Sequence, residues 1–263
     1  MLRPAKPAWH KLNSIWYPLL GVALFILLWW VGSVNYGSFI LPSPWETCKA
    51  LWQLILDGKA FKAMWITTER ALGGFLIAGI IGSSVGIFAG LRPKLAQTLK
   101  PIAAILLGIP PIAWIVLALL WFGTTGFTPV FTVVVTTLPI TFAVAVEGAR
   151  TRDEGLEKMA RSFKTPHFML LWDVYLPHIL SYLFPGWITA LGLAWKVTVM
   201  AELLGSTDGI GANMAIARVN METAEALAWV IAVVALLLVV ELLILEPLKH
   251  RLEPWRRKVL QTS

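Results

Sequence analysis

The chain has 263 residues, 57% of them hydrophobic and only 14% charged, with a formal net charge of +7 and a mean hydropathy of +0.72. Soluble domains are about 45–50% apolar and about 25% charged, so this composition argues against a soluble enzyme, a disordered chain and a nucleic-acid binder. The one cysteine, Cys48, excludes an intrachain disulfide and reads as a small core residue, and the four histidines show no metal-ligand spacing.

A bilayer core takes roughly 20 mainly apolar residues per helix. Six such runs are predicted, at about 15–34, 72–91, 102–122, 127–146, 179–204 and 226–245. The first reads as a span and not a cleavable signal peptide, since it lacks a small-residue cleavage site and continues through Trp29-Trp30. Residues 41–69 mix Trp45, Leu51, Trp52, Leu54, Ile55 and Phe61 with Glu46, Lys49, Asp57, Lys59 and Lys62, a pattern that predicts amphipathic helix on the membrane surface. Asp57-Gly58-Lys59 divides it into two short helices. In the second span Gly82, Gly86 and Gly90 share a face at i+4 spacing, which predicts close helix packing within a subunit or between subunits. The third carries Gly108-Ile109-Pro110-Pro111, where the helix must kink or break. Pro110 and Pro111 mark either a pathway kink or a purely structural one.

Residues 147–178, the largest segment expected on the cytoplasmic side, are too short for an independent domain. Glu154, Leu156, Glu157, Met159, Ala160 and Phe163, then Phe168, Met169, Leu171 and Trp172, recur at helical spacing. Thr165-Pro166 divides two short helices. Their apolar faces need either headgroups or a cytoplasmic partner to cover them. Lys196 lies in the middle of the fifth span, where a charge costs about 2.5–3.5 kcal/mol on insertion scales. It either lines a pathway and attracts an anionic solute or pairs with Glu202 or Glu241 of another helix or subunit. Glu202, six residues on, points away from the Lys196 face of the same helix.

An even number of spans puts both termini on one side. Sixteen Lys and Arg fall on that side and five on the other, so the positive-inside rule predicts cytoplasmic termini and an inner-membrane protein. The expected organisation is a cytoplasmic N-terminal segment at 1–14, one transmembrane domain at 15–250 with a cytoplasmic loop at about 150–177, and a tail at 251–263. The expected fold class is all-α and polytopic.

The segment Lys158-Met159-Ala160-Arg161-Ser162-Phe163-Lys164, ending at Leu176-Pro177, resembles the EAA loop of ABC-importer permeases. That pattern is Glu-Ala-Ala, three residues, Gly, nine residues, Ile, one residue, Leu-Pro. Ala160 matches the second Ala, and Val174 replaces Ile conservatively. Lys158, Met159 and Lys164 stand at the Glu, first Ala and Gly positions, and Glu157 lies one residue early. Leu41-Pro42-Ser43-Pro44, Glu69-Arg70-Ala71-Leu72-Gly73-Gly74-Phe75, Leu120-Trp121-Phe122-Gly123, Ala201-Glu202-Leu203-Leu204 and Gly209-Ile210-Gly211 follow in the order found in permeases of the nitrate, sulfonate, taurine and bicarbonate importers. The resemblance covers about residues 40–250.

It implies a type I importer permease working as a homodimer in the lipid bilayer. Two ATP-binding subunits dock on the coupling loop, through Glu157, Lys158, Met159, Ala160, Arg161, Ser162, Lys164, Leu176 and Pro177. A substrate-binding protein delivers the solute, and Asp208, Gly209 and Gly211, in the Gly-rich run 206–213, are the expected flexible contact for it. Lys196, Glu202, Pro110 and Pro111 are the candidate pathway residues. The chain has no Gly-x-x-x-x-Gly-Lys-Ser/Thr phosphate loop. It is therefore expected to hold no cofactor or metal, with ATP and Mg in the partner ATPase, and to be no enzyme itself. An ion-coupled secondary carrier is the alternative. It fits less well, because no internal repeat is visible.

Overall fold

The structure is a computed structural model that describes residues 9–151, 155, 159, 162, 163 and 166–240. Its elements are helices: α1 (Trp9–Tyr36), α2 (Pro44–Leu56), α3 (Lys59–Gly90), α4 (Pro93–Gly108), α5 (Pro111–Phe122), α6 (Phe127–Arg150), α7 (His167–Leu170), α8 (Leu176–Gly205), α9 (Ile210–Val219) and α10 (Thr223–Val240). A five-residue π-helical stretch, Leu171–Tyr175, joins α7 to α8. Among the described residues five helices are long and apolar enough to cross a membrane, and six if the bent pair α4–α5 counts as one. The expected sixth span at 226–245 is described as far as Val240.

Ser43 starts α2 through a capping box. Its hydroxyl accepts from Glu46 N, the Glu46 carboxylate accepts from Ser43 N, and Pro44 supplies a preset φ in the first turn. The indole Nε1 of Trp29 donates to Pro42 O at 3.0 Å and ties α1 to this turn. Cys48, on α2, is exposed and not in the core.

The expected break at Asp57-Gly58-Lys59 is present, with Gly58 at φ +72°. The helix beyond it is not a second surface helix. α3 runs unbroken for 32 residues, about 48 Å at ~1.5 Å per residue, against a hydrocarbon core of about 30 Å. Its charged first turns therefore extend past the apolar layer. The charges near residue 60 end the apolar run without ending the helix, because no proline stands between Lys59 and Gly90.

α3 and α6 form the centre of the bundle and run parallel. Gly74 faces Val133, Gly82 faces Thr141, Gly86 faces Ala145 and Gly90 faces Ala149, in constant register. The small-residue stripe thus packs within the subunit. At Gly86 an added Cβ would sit 2.6 Å from both the Ala145 Cβ and the Phe142 carbonyl oxygen. The Thr141 hydroxyl uses this closeness, donating to Ala78 O on α3 at 3.0 Å. Thr132, Thr136 and Thr137 of α6 are buried and bond back to their own helix, so their hydroxyls need no water. α8 packs antiparallel on α6, with Gly186 against Val144 and Gly148 against Tyr182.

Because α3 and α6 point the same way, the chain between them must return along the bundle. It does so in two pieces and not as the single span expected at 102–122. α4 and α5 meet at 90°. Each residue before a proline is driven out of the helical region. Ile109 takes φ −81°, ψ 122°, and Pro110 takes φ −58°, ψ 140°. Two successive extended residues turn an expected kink into a corner. Trp121, Phe122, Phe127 and Phe131 then pack edge-on, with Phe122 and Phe127 ring centroids 4.9 Å apart, and join the end of α5 to the start of α6.

Candidate functional site

Thr67 and Arg70 are three residues apart on α3 and so share a face. That face meets the end of α8 and the tight reversal into α9. Glu202 of α8 is fully buried. It accepts from Thr67 Oγ1 at 2.8 Å, Arg70 Nη1 at 2.9 Å and the Gly211 N–H at 3.2 Å. Arg70, its side chain 11% exposed, also donates through Nη1 to Asp208 O at 2.9 Å and through Nη2 to the Asp208 carboxylate. The Ile210 N–H donates to Thr67 Oγ1 at 3.0 Å. The first N–H groups of a helix have no partner within it. Here two of those of α9 are satisfied by side chains of α3 and α8. A carboxylate at a helix N-terminus is also favoured by the helix dipole.

The glycines of the reversal follow from this cluster. Gly209 has φ +100°, and a Cβ there would strike the Glu202 carboxylate. A Cβ on Gly211 would strike Val199 O and come within 2.6 Å of Leu203 N. The expected flexible run at 206–213 is thus only a short turn, after which α9 begins. Gly209 and Gly211 are buried, and of the three expected contact residues only Asp208, with a half-exposed side chain, presents surface. Beside Asp208 lies a pocket of about 310 Å³, lined by Lys59, Lys62 and Ile66 of α3 and by Thr207 and Asn213 across from them.

Lys196 is exposed, and it has no ionic partner among the described residues. It sits in a stripe along α8, with Thr189, Met200 and Leu204, that no described residue covers. The sequence left Glu202 as a candidate partner of Lys196. Glu202 instead faces the interior and is held by Arg70; Glu241 lies outside the described residues. Pro110 is exposed and Pro111 half-buried at the α4–α5 corner.

Of the coupling-loop residues, Glu157, Lys158, Ala160, Arg161 and Lys164 lie outside the described residues. Met159 and Ser162 are exposed, and the Phe163 N–H donates to Met159 O at 3.1 Å in a helical turn. Pro166 is not helical, and Leu176-Pro177 opens α8. Phe163, Phe168, Met169 and Trp172 are more than half exposed, with Phe168 and Trp172 rings 6.0 Å apart. These apolar side chains are thus left uncovered among the described residues. Among the described residues no group of three or more His, Cys, Asp or Glu gathers for a metal.

Thr67 and the pairing of Arg70 with Glu202 and Asp208 were not foreseen. The available signal was that Arg70 and Glu202, opposite in sign, each border an apolar run within one of the two recognised blocks.

Residues 63–258 match the family described as binding-protein-dependent transport system inner membrane component. The chain is 34% identical over 215 residues to a bicarbonate transport system permease protein of Synechococcus elongatus, covering 77% of each chain. It is 26% identical to the taurine transport system permease protein of Escherichia coli, over 98% of this chain and 96% of that one. A nitrate import permease protein of Leptolyngbya laminosa is 30% identical over 72% of this chain and 71% of its own. In fold it is similar to an inward-facing methionine ABC transporter structure, with a TM-score of 0.59 at 19% identity, over 73% of this chain and 94% of that one.

Proposed function

Since the chain belongs to the family of binding-protein-dependent transport system inner membrane components, a multi-pass ABC-importer permease, we propose that two copies form the pathway of an importer for a small anion. Two ATP-binding subunits dock on the loop around Met159–Trp172, and a substrate-binding protein delivers the solute. ATP and Mg act in those partners, and this chain carries no cofactor. Hydrolysis there drives a rigid-body exchange between inward- and outward-open states. Both termini lie in the cytoplasm, a placement supported by the sixteen-to-five distribution of basic residues.

The observation that carries the reading is Lys196, a cation in the middle of a membrane helix on a face its own subunit leaves open. A charge there is too costly against lipid and faces protein or water. A second copy of α8 across a water-filled path supplies both. The relatives named for bicarbonate, nitrate and aliphatic sulfonates share an anionic group, which a fixed cation favours. The uncovered Phe163, Phe168, Met169 and Trp172 supply the apolar surface for the ATPase.

The test is gentle purification from the native membrane. A stoichiometric ATPase is expected to co-purify and to be lost when residues 153–172 are disrupted. Lys196→Met is expected to lower anion uptake with the complex intact. Transport in liposomes by this subunit alone, without ATP, refutes the importer reading. Unchanged uptake kinetics in the Lys196 variant refutes the pathway role.

A further inference from the structure

We propose that the Arg70–Glu202–Asp208 network is a latch on α9: it seats that helix against α8 next to Lys196 and so sets how far the Lys196 face is open. The gating consequence rests on the permease reading above; the seating of α9 does not.

The cluster has two unequal parts. The Glu202 part is an anchor, fully buried, carried by α8 and bonded to α3 and α9 at once. The Asp208 part is an arm. Its side chain is half exposed, and it holds the turn to Arg70 through both its carboxylate and its carbonyl. An exposed ion pair is screened by water and salt, whereas a buried one is not. The arm therefore opens more readily than the anchor. When it opens α9 stays folded, because Ile210 and Ala217 remain packed with Trp229, Leu54 and Ala63.

What α9 covers gives the latch its meaning. Gly211 lies directly on Val199 and Leu203 of α8. Val199 is one turn from Lys196, about 4.5 Å along the axis at ~1.5 Å per residue. Met200 and Leu204, the next residues of the uncovered stripe, adjoin that contact. The start of α9 thus abuts the end of the Lys196 face, and a shift of α9 changes its opening. The pocket beside Asp208 reaches the arm from the surface, between Lys59, Lys62 and Asn213. Arg70 and Asp208 are positioning residues here; they act on the pathway through α9.

The experiment measures amide hydrogen exchange on the full-length protein in lipid nanodiscs. Asp208→Ala removes the carboxylate half of the arm and leaves the Asp208 carbonyl on Arg70 and the buried anchor, and Asp208→Asn keeps a side-chain acceptor. Exchange in 205–219 is expected to rise by up to about fivefold in the Ala variant, the change that loss of one water-screened ion pair brings, and less in the Asn variant. Exchange in 141–149, on the α3–α6 seam, stays unchanged. In the reconstituted importer, in a Cys48→Ser background, a Met200→Cys probe on the Lys196 face, read on that residue by mass spectrometry, is expected to change its alkylation rate by about fivefold or more when Asp208→Ala is added, the low end of coupling between sites, and by less with Asp208→Asn. Unaltered exchange in 205–219 overturns the latch, as does a rise spread equally over 141–149. An unchanged alkylation rate at the Met200→Cys probe overturns its gating role. If exchange responds as expected but the wild-type complex needs neither ATPase nor binding protein, the importer reading fails and the seating of α9 stands.

Discussion

Gly86→Ala tests the parallel seam between α3 and α6. An alanine Cβ would lie 2.6 Å from the Ala145 Cβ and from the Phe142 carbonyl oxygen. Ordinary contact begins at 3.4 Å, so the overlap is about 0.8 Å on both atoms at once. Neither neighbour is the tip of a flexible side chain. The helices must part, which also loosens the contacts at Gly82 and Gly90. Overpacking costs about 1–3 kcal/mol, and two rigid overlaps at once put this site at about 2–3 kcal/mol. The intrinsic preference of a helix for Ala over Gly, about 1 kcal/mol, opposes it. The expected net loss is about 1–2 kcal/mol, or about 2–8 °C in melting temperature at about 2–4 °C per kcal/mol. The assay is thermal unfolding of the purified protein in mild detergent, followed by circular dichroism. Gly79→Ala is the control, since on the same helix its Cβ would meet nothing within 4 Å. A Gly86→Ala protein that melts at or above the wild type, or a Gly79→Ala protein that falls as far, refutes the packing argument.

Glu202→Ala leaves the Arg70 charge buried without its anchor, a loss of about 3–5 kcal/mol for a broken buried pair. The variant is expected to lose monodisperse protein on gel filtration, with Glu202→Gln in between; wild-type yield and melting from the Ala variant would contradict the geometry. At Glu46 the bond from the Ser43 backbone N–H, with those from the Ser38 and Ser43 hydroxyls, holds the carboxyl below its ordinary value of 4.5. A lowered folded value means the cap contributes fully above the unfolded value and fades as pH falls through the folded one. The protection factors of the α2 amides are therefore expected to fall below pH 4.5 in the wild type and to stay flat in Glu46→Gln; parallel profiles would remove the cap from the account.

The spans were readable because apolar length is a local property. The break before α3 was readable because Asp57-Gly58-Lys59 needs a positive φ that glycine supplies. The start of α3 was misplaced because charge marks the edge of the apolar layer, not the end of a helix. The corner at Ile109-Pro110 was read as a kink within one span, since hydropathy does not register that two extended residues in a row turn the chain. The i+4 glycines were legible as a packing stripe, but not the helix they pack against. Arg70 and Glu202 stand 132 residues apart. One sequence shows two opposite charges beside apolar runs and carries no sign that they meet.

The right angle between α4 and α5 bears on how the bundle is made. α4 is about 24 Å long and α5 about 18 Å at ~1.5 Å per residue, and each falls short of a hydrocarbon layer of about 30 Å. Neither is a span by itself. The carbonyls freed at the corner have no partner in lipid. During synthesis residues 93–122 leave the ribosome before α6, the helix both pieces lie against. The extended backbone at Ile109-Pro110 is set by the prolines themselves, so the corner forms before α6 is made, and its freed groups lack a protein cover on that side until α6 arrives. Biogenesis of this bundle is then more than the serial insertion of hydrophobic rods: one rod arrives already broken and is covered later.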